Sequence, residues 1–276
     1  MTNQTARLVG VGMVIALLVA LFAPTMQWLA LSWLGNPYYS HGALVVLVSL
    51  WLVWRRRGAL ASARSENIGL ALIALGIGAH LLALPLQMAV VSAAALIATL
   101  VGVVWAFAGR DVVRAWAFPL AFLLLAVPLP GMERISPSLE SFTAAYAAQG
   151  ARWLGVGATS AGGQVSVGSQ GFTVGAPCSG LRSLVALLTL AVLLAYSLRA
   201  PLWVKLTLIA SALPIALLAN LMRVSSIFWV ADAFGGEAAL SFFHTLSSPL
   251  LFLLALGLLL VLGRVLGARQ VRPEAW

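Results

Sequence analysis

Charge is what this chain has least of. Charged residues fill 8% of its 276 positions, where a soluble domain carries about 25%. With hydrophobic residues at 62% and a mean hydropathy of +1.03, lipid must solvate most of the surface. Acidic residues number only 7, and the formal net charge of +9 is carried by short basic clusters between apolar runs. Clusters so placed report orientation in a membrane. A nucleic-acid partner would need a basic face on a soluble domain, so that class is excluded. Cysteine is nearly absent: Cys178 stands alone, which rules out an intrachain disulfide. The 3 histidines are scattered and no His-Glu-x-x-His occurs, so neither a metal nor another cofactor is expected. Internal repeats are missing too, which argues against a secondary transporter.

What is present is a series of about eight apolar segments near the length that crosses a bilayer as a helix. They run from about Leu8 to Leu29, His41 to Trp54, Ile68 to Leu84, Met88 to Ala108, Ala115 to Val127, Leu181 to Leu198, Val204 to Leu221 and Leu246 to Leu262. The first contains Pro24, and no convincing small-x-small cleavage site follows it, so it is read as an uncleaved span. Arg110-Asp111-Val112-Val113-Arg114 reads as a charged loop, and Pro214 as a kink in span seven. The longest non-spanning segment is about 132–177. Its first half, Ser136 to Leu154, spaces Phe142, Tyr146 and Trp153 for an amphipathic helix on the membrane surface. Its second half sets Gln164–Val167 and Phe172–Val174 around Gly168-Ser169-Gln170-Gly171, the pattern of a small hairpin. Met222 to Phe243 is expected to be a second loop or interfacial segment. The expected fold is an all-α integral membrane protein: one polytopic domain over 1–276, about eight transmembrane helices, an external amphipathic helix, a small β-hairpin and a cytoplasmic basic tail from about 264.

With the N-terminus in the cytoplasm and eight alternating spans, both termini are cytoplasmic. Of the 16 basic residues, only Arg134, Arg152, Arg182 and Arg223 then lie outside, as the positive-inside rule requires. Arg134 and Arg152 fall in the surface segment, where water or lipid phosphate solvates them. Arg182 and Arg223 fall at the outer ends of spans six and seven. A cation in hydrocarbon costs at least about 2.5 kcal/mol at a helix centre, so it needs a partner or a task.

Cys178 precedes span six, where the positive end of the helix macrodipole favours a thiolate. Arg182, four residues on, would add a cation on the same helical face. His244 opens span eight on the same side. Each has an ordinary explanation by itself: a small buried hydrophobe for Cys178, snorkelling for Arg223, a hydrogen-bonded helix cap for His244. Their shared depth points to chemistry. A Cys178 thiolate could attack a peptide carbonyl and form a thioester, with Arg223 and the N–H groups after Cys178 stabilising the oxyanion. His244 would protonate the leaving amine and then activate the incoming amine or water. Arg182 either tunes Cys178 or binds an acidic substrate motif. Asn220 either positions Arg223 or caps a turn, and the hairpin could offer its edge to an extended substrate.

The motif Pro177-Cys178-Ser179-Gly180-Leu181-Arg182-Ser183, then Asn220-Leu221-Met222-Arg223, then His244 after a glycine-containing loop, resembles the exosortase/archaeosortase family. Tyr39-Ser40-His41-Gly42 resembles that family's N-terminal region, and the likeness covers about Tyr38 to Leu262. It implies a multi-pass membrane cysteine protease or transpeptidase, with Cys178 as nucleophile and Arg223 and His244 completing the site. Arg182, Asn220, Ser179 and His41 are the candidates for substrate binding. The implied partners are exported proteins bearing a C-terminal sorting signal: a short motif (Pro-Glu-Pro in bacteria), a membrane helix and a basic tail. The implied location is the cell membrane, with the active site at the outer face. The rival class is a non-catalytic scaffold or transporter, for example in exopolysaccharide export, which predicts that Cys178 is replaceable by Ala or Ser without loss.

Overall fold

In lipid, a backbone must satisfy its own N–H and C=O groups, and a helix does so within one segment. The computed structural model describes residues 2–242, 247–268, 270 and 272 and is helical over most of them. His244 lies outside the described residues. The chain divides into two compact units, Met1–Leu129 and Pro130–Trp276.

In the first unit, α1 (Thr2–Leu21) and α2 (Ala23–Gly35) meet at an angle of 70°. The span expected from Leu8 to Leu29 is therefore a pair of helices bent at a break. Pro24 has no N–H to donate back to the preceding turn, and it sits in the first turn of the new helix, where proline is tolerated. Helices α3 (Gly42–Arg55), α4 (Ile68–Ala83) and α5 (Ala89–Ala108) lie within a residue or so of expected spans two to four. The expected loop at Arg110 is instead a short helix, α6 (Arg110–Ala115), and span five divides into α7 (Ala117–Phe122) and a 3-10 turn, Leu123–Ala126. Small residues bring α4 and α5 together: a Cβ on Gly69 would stand 2.2 Å from the Ala106 nitrogen, and one on Gly76 2.3 Å from Thr99 Oγ1. Close backbone approach of this kind is how apolar helices associate without a hydrophobic driving force.

A polar chain closes the α1–α2 break. His80, fully buried, places Nε2 3.0 Å from the Leu21 carbonyl and Nδ1 2.7 Å from Ser92 Oγ. A carbonyl only accepts, so Nε2–H donates to it, Nδ1 accepts from the Ser92 hydroxyl, and Ser92 in turn accepts from Thr25. By the same logic the His41 ring donates to the Leu125 carbonyl at 3.2 Å. Trp33 Nε1 donates to the Ala126 carbonyl and the Tyr39 hydroxyl to that of Leu129. The turn carrying His41 thus holds the carbonyls at the end of the α7 segment.

The second unit opens with α8 (Met132–Trp153). Ala144, Ala147, Ala148 and Ala151 recur at helical spacing, are fully buried, and pack on Val224, Phe228 and the small sheet. The aromatic residues face the other way, Tyr146 at 57% and Trp153 at 81% exposure. The helix therefore seats its small residues on protein and turns its large ones outward. The sheet has three strands and not the expected two: β1 (Ala158–Ala161), β2 (Gln164–Val167) and β3 (Gln170–Thr173), antiparallel in that order. Two-residue loops, Gly162-Gly163 and Gly168-Ser169, join them. Their first residues take φ of +59° and +56°, the left-handed geometry such hairpin loops demand of glycine.

After the sheet come α9 (Leu181–Ser197), α10 (Leu202–Phe234), α11 (Gly236–Phe242) and α12 (Ser248–Val265). Helix α10 corrects the expectation of a loop from Met222. It continues as one helix past Pro214 and on to Phe234, because no helix breaker occurs between Met222 and Gly235-Gly236. By length and composition, Pro37–Arg55, Ala89–Ala108 and Leu202–Phe234 can each cross a membrane, and the bent α1–α2 pair makes a fourth. Four shorter apolar helices, Ile68–Ala83, Ala117–Ala126, Leu181–Ser197 and Pro249–Val265, have 10–17 residues each.

Candidate active site

Strand β3 leads through Val174 and Gly175 into a 3-10 turn, Ala176–Cys178. Cys178 thus lies in the turn before α9, not at its first residue. Gly180 intervenes with φ +80°. That residue is required twice: its backbone is left-handed, and a Cβ there would come within 2.9 Å of the Asn220 side chain. The turn is tied by Cys178 N–H donating to the Gly175 carbonyl at 2.8 Å and Ser179 N–H to that of Ala176 at 3.3 Å.

Two residues of α10 reach the turn. Asn220 and Arg223 are three apart and share a helix face. Asn220 Nδ2 donates to the Cys178 carbonyl at 2.8 Å and lies 3.4 Å from Thr143 Oγ1 of α8. Arg223 Nη2 donates to Cys178 Sγ at 3.6 Å, and both α10 residues are buried. Of the alternatives for Asn220, the geometry gives a third: it holds the backbone of Cys178. Its Oδ1 is buried with no hydrogen-bond partner among the described residues.

Burial pushes the Cys178 thiol up from its ordinary range. The Arg223 guanidinium pulls it back by charge and by hydrogen bond, and the Glu140 carboxylate pushes it up again. The dipole argument favoured a thiolate; desolvation outweighs it at this half-buried turn. Glu140 belongs to α8, where Ser136 Oγ donates to its Oε1 at 2.8 Å. Glu140 and Thr143 escape sequence reasoning, although both are polar positions three apart on one face of an amphipathic helix, and that spacing was the available signal.

Other expected residues fall elsewhere. Arg182 is exposed and is not among the groups acting on the Cys178 thiol; Cys178 is outside α9, so the two do not share a helical face. Ser179 is fully buried, with its hydroxyl donating to the Ala176 carbonyl and accepting from Leu181 N–H, so it caps the turn. The N–H groups of Ser179 and Leu181, expected in an oxyanion hole, are committed to that cap. His41 belongs to the first unit. Arg152, expected to be solvated by water or lipid, donates from Nη1 to the Ala158 carbonyl at 2.8 Å.

Fold and site together define a helical membrane protein whose only cysteine is half-buried against an arginine donor at the mouth of an apolar helix. The model of the transmembrane exosortases matches residues 33–261, most of the chain, and the chain belongs to that family. No curated protein and no solved structure matches it.

Proposed function

We propose that this protein is a membrane-embedded cysteine transpeptidase or protease that cleaves C-terminal sorting signals from exported proteins through a thioester on Cys178. The observation that supports it most is the 3.6 Å contact between Cys178 Sγ and Arg223 Nη2, in a chain of the exosortase family. Because burial pushes the thiol up, attack calls for a base. His244 takes the thiol proton as sulfur bonds to the carbonyl carbon, and Arg223 donates to the oxyanion that forms. Collapse breaks the C–N bond, and His244 returns the proton to the leaving amine. An incoming amine or water then attacks the thioester, gives its proton to His244 and releases the sulfur.

The same reading has the four shorter helices cross the membrane too, for eight spans, with both termini in the cytoplasm and the site at the outer face of the cell membrane. Helix α10 suits that placement. Its 33 residues extend about 50 Å at 1.5 Å each, against a hydrocarbon core of about 30 Å. A start at Leu202 on the inner side puts Arg223 about 32 Å along, at the opposite boundary.

The test is a Cys178→Ala strain of the native host, with the mass and mobility of membrane-anchored exported proteins followed. Unprocessed precursors accumulate in that strain and in His244→Ala. Normal processing in Cys178→Ala, with the protein still in the membrane, rejects the reading in favour of a scaffold or transporter.

A further inference from the structure

The two outer edges of the small sheet are treated differently. Register fixes which backbone groups face outward. Gly163 accepts from Val174 N–H at 2.8 Å, so Val174, Phe172 and Gln170 point their N–H and C=O groups at β2. Those of Gly171 and Thr173 point away from the sheet. Both residues are exposed, and no hydrogen bond reaches their backbone groups among the described residues. On the far edge, β1 turns Ala158 and Ser160 outward by the same alternation. There the Ala158 carbonyl is taken by Arg152 Nη1, and the Ala158 N–H by the Val156 carbonyl at 2.9 Å.

Proteins blunt exposed edges with charge, proline, bulges or cover, because an open edge pairs with any extended chain. At the β1 edge an arginine takes the Ala158 carbonyl, while the outward groups of exposed Ser160 stay open among the described residues. The β3 edge, Gln170-Gly171-Phe172-Thr173, carries no charge, no proline and no bulge. It is also the strand that leads to the nucleophile. Cys178 follows Thr173 by five positions, at most about 17 Å of chain. Phe172, Val174 and Cys178 pack into one cluster, so the strand and the thiol are held by the same core.

We propose that β3 is the substrate-docking edge: an extended segment of the peptide to be cleaved adds to the sheet as a fourth strand, pairing with the outward groups of Gly171 and Thr173, and is delivered along β3 to Cys178. This rests on the transpeptidase reading above. Backbone pairing supplies affinity that is indifferent to side chains, and the pockets beside alternate residues supply selectivity. It also holds the scissile bond extended, with its carbonyl free of the helical hydrogen bond that would shield it.

The probe is the precursor that accumulates in Cys178→Ala cells. Gly171→Pro and Thr173→Pro each remove an outward N–H while leaving the β2–β3 ladder intact, as proline is accepted on an edge strand. Both variants slow precursor processing at least tenfold, whereas Ser160→Pro, which removes an outward N–H from the opposite edge, processes as wild type. Processing of the β3 proline variants at the wild-type rate overturns the proposal. A second measurement does not depend on their folding: Thr173→Cys in a Cys178→Ser background, with single cysteines walked along the precursor. Disulfides at alternate precursor positions support strand pairing, because side chains repeat every two residues; uniform or absent crosslinking overturns it. Absence of any accumulated precursor in Cys178→Ala is a different result, and it removes the transpeptidase reading itself.

Discussion

Both units bury polar side chains, and they finish them differently. In the first, Thr25, Ser92 and His80 form a directed chain that ends on the Leu21 carbonyl, each donor meeting an acceptor. In the second, Asn220 keeps a buried Oδ1 with no hydrogen-bond partner among the described residues, and the thiol meets its guanidinium at 3.6 Å. A satisfied network rigidifies what surrounds it. An unsatisfied group costs free energy in the resting protein and keeps hydrogen-bonding capacity in reserve. Buried polarity alone does not mark a site, and neither does unused capacity, which Ser49 Oγ and Gln170 Oε1 share; what sets this cluster apart is that the open acceptor belongs to the side chain holding the Cys178 backbone.

The sharpest way to test that contrast is to remove one partner from each cluster. Arg223→Ala should lower the rate of precursor processing by about 10²–10³-fold, the usual loss for an oxyanion donor. Arg223→Lys restores only part of it, since an ammonium lacks the planar fork. Pulse-chase of the precursor reads both, with membrane abundance as the control. His80→Ala should behave in the opposite manner. It removes a buried ring and strands Ser92 and the Leu21 carbonyl, which costs about 2–4 kcal/mol. That appears as a lowered unfolding temperature in detergent, with processing per folded molecule unchanged; a collapse of specific activity would break the comparison.

The smallest effect is on titration. Glu140 is one of the groups raising the Cys178 thiol, so Glu140→Gln makes the thiolate easier to form. The pH midpoint of iodoacetamide labelling then moves down, while Arg223→Ala moves it up. The sign carries over to stability. A thiol whose folded value is raised contributes fully below the ordinary thiol range, and that contribution is lost as pH climbs through the folded value.

Much of this was legible in the sequence, for reasons that differ along the chain. Spans two to four and six are mainly apolar runs closed by Arg55, Pro85, Gly109 and Arg199, so their helices end where the punctuation does. Span seven misled because Arg223, Ser225, Ser226 and Asp232 look like a loop, yet polar residues do not stop a helix and Gly235 does. The seating of α8 was hidden because alanines contribute little to an apolar face by eye, although their size lets α8 lie close to Val224 and Phe228. Strand β1, Ala158-Thr159-Ser160-Ala161, has almost none of the β-branched and aromatic residues that announce a strand. Within the site, Cys178, Asn220 and Arg223 stood out as motif residues. Thr143 did not, since its partner Asn220 is 77 positions away and only tertiary folding brings them together.

Helix α10 carries one more consequence. One continuous helix, Leu202–Phe234, long and apolar enough to cross a membrane, carries the two side chains that hold Cys178. In the topology proposed above, the depth of the Arg223 guanidinium follows from the turns between Leu202 and Arg223, from any bend at Pro214 and from the tilt of the helix. The protein carries its own depth gauge: lipid thickness positions the helix, and the helix positions the chemistry.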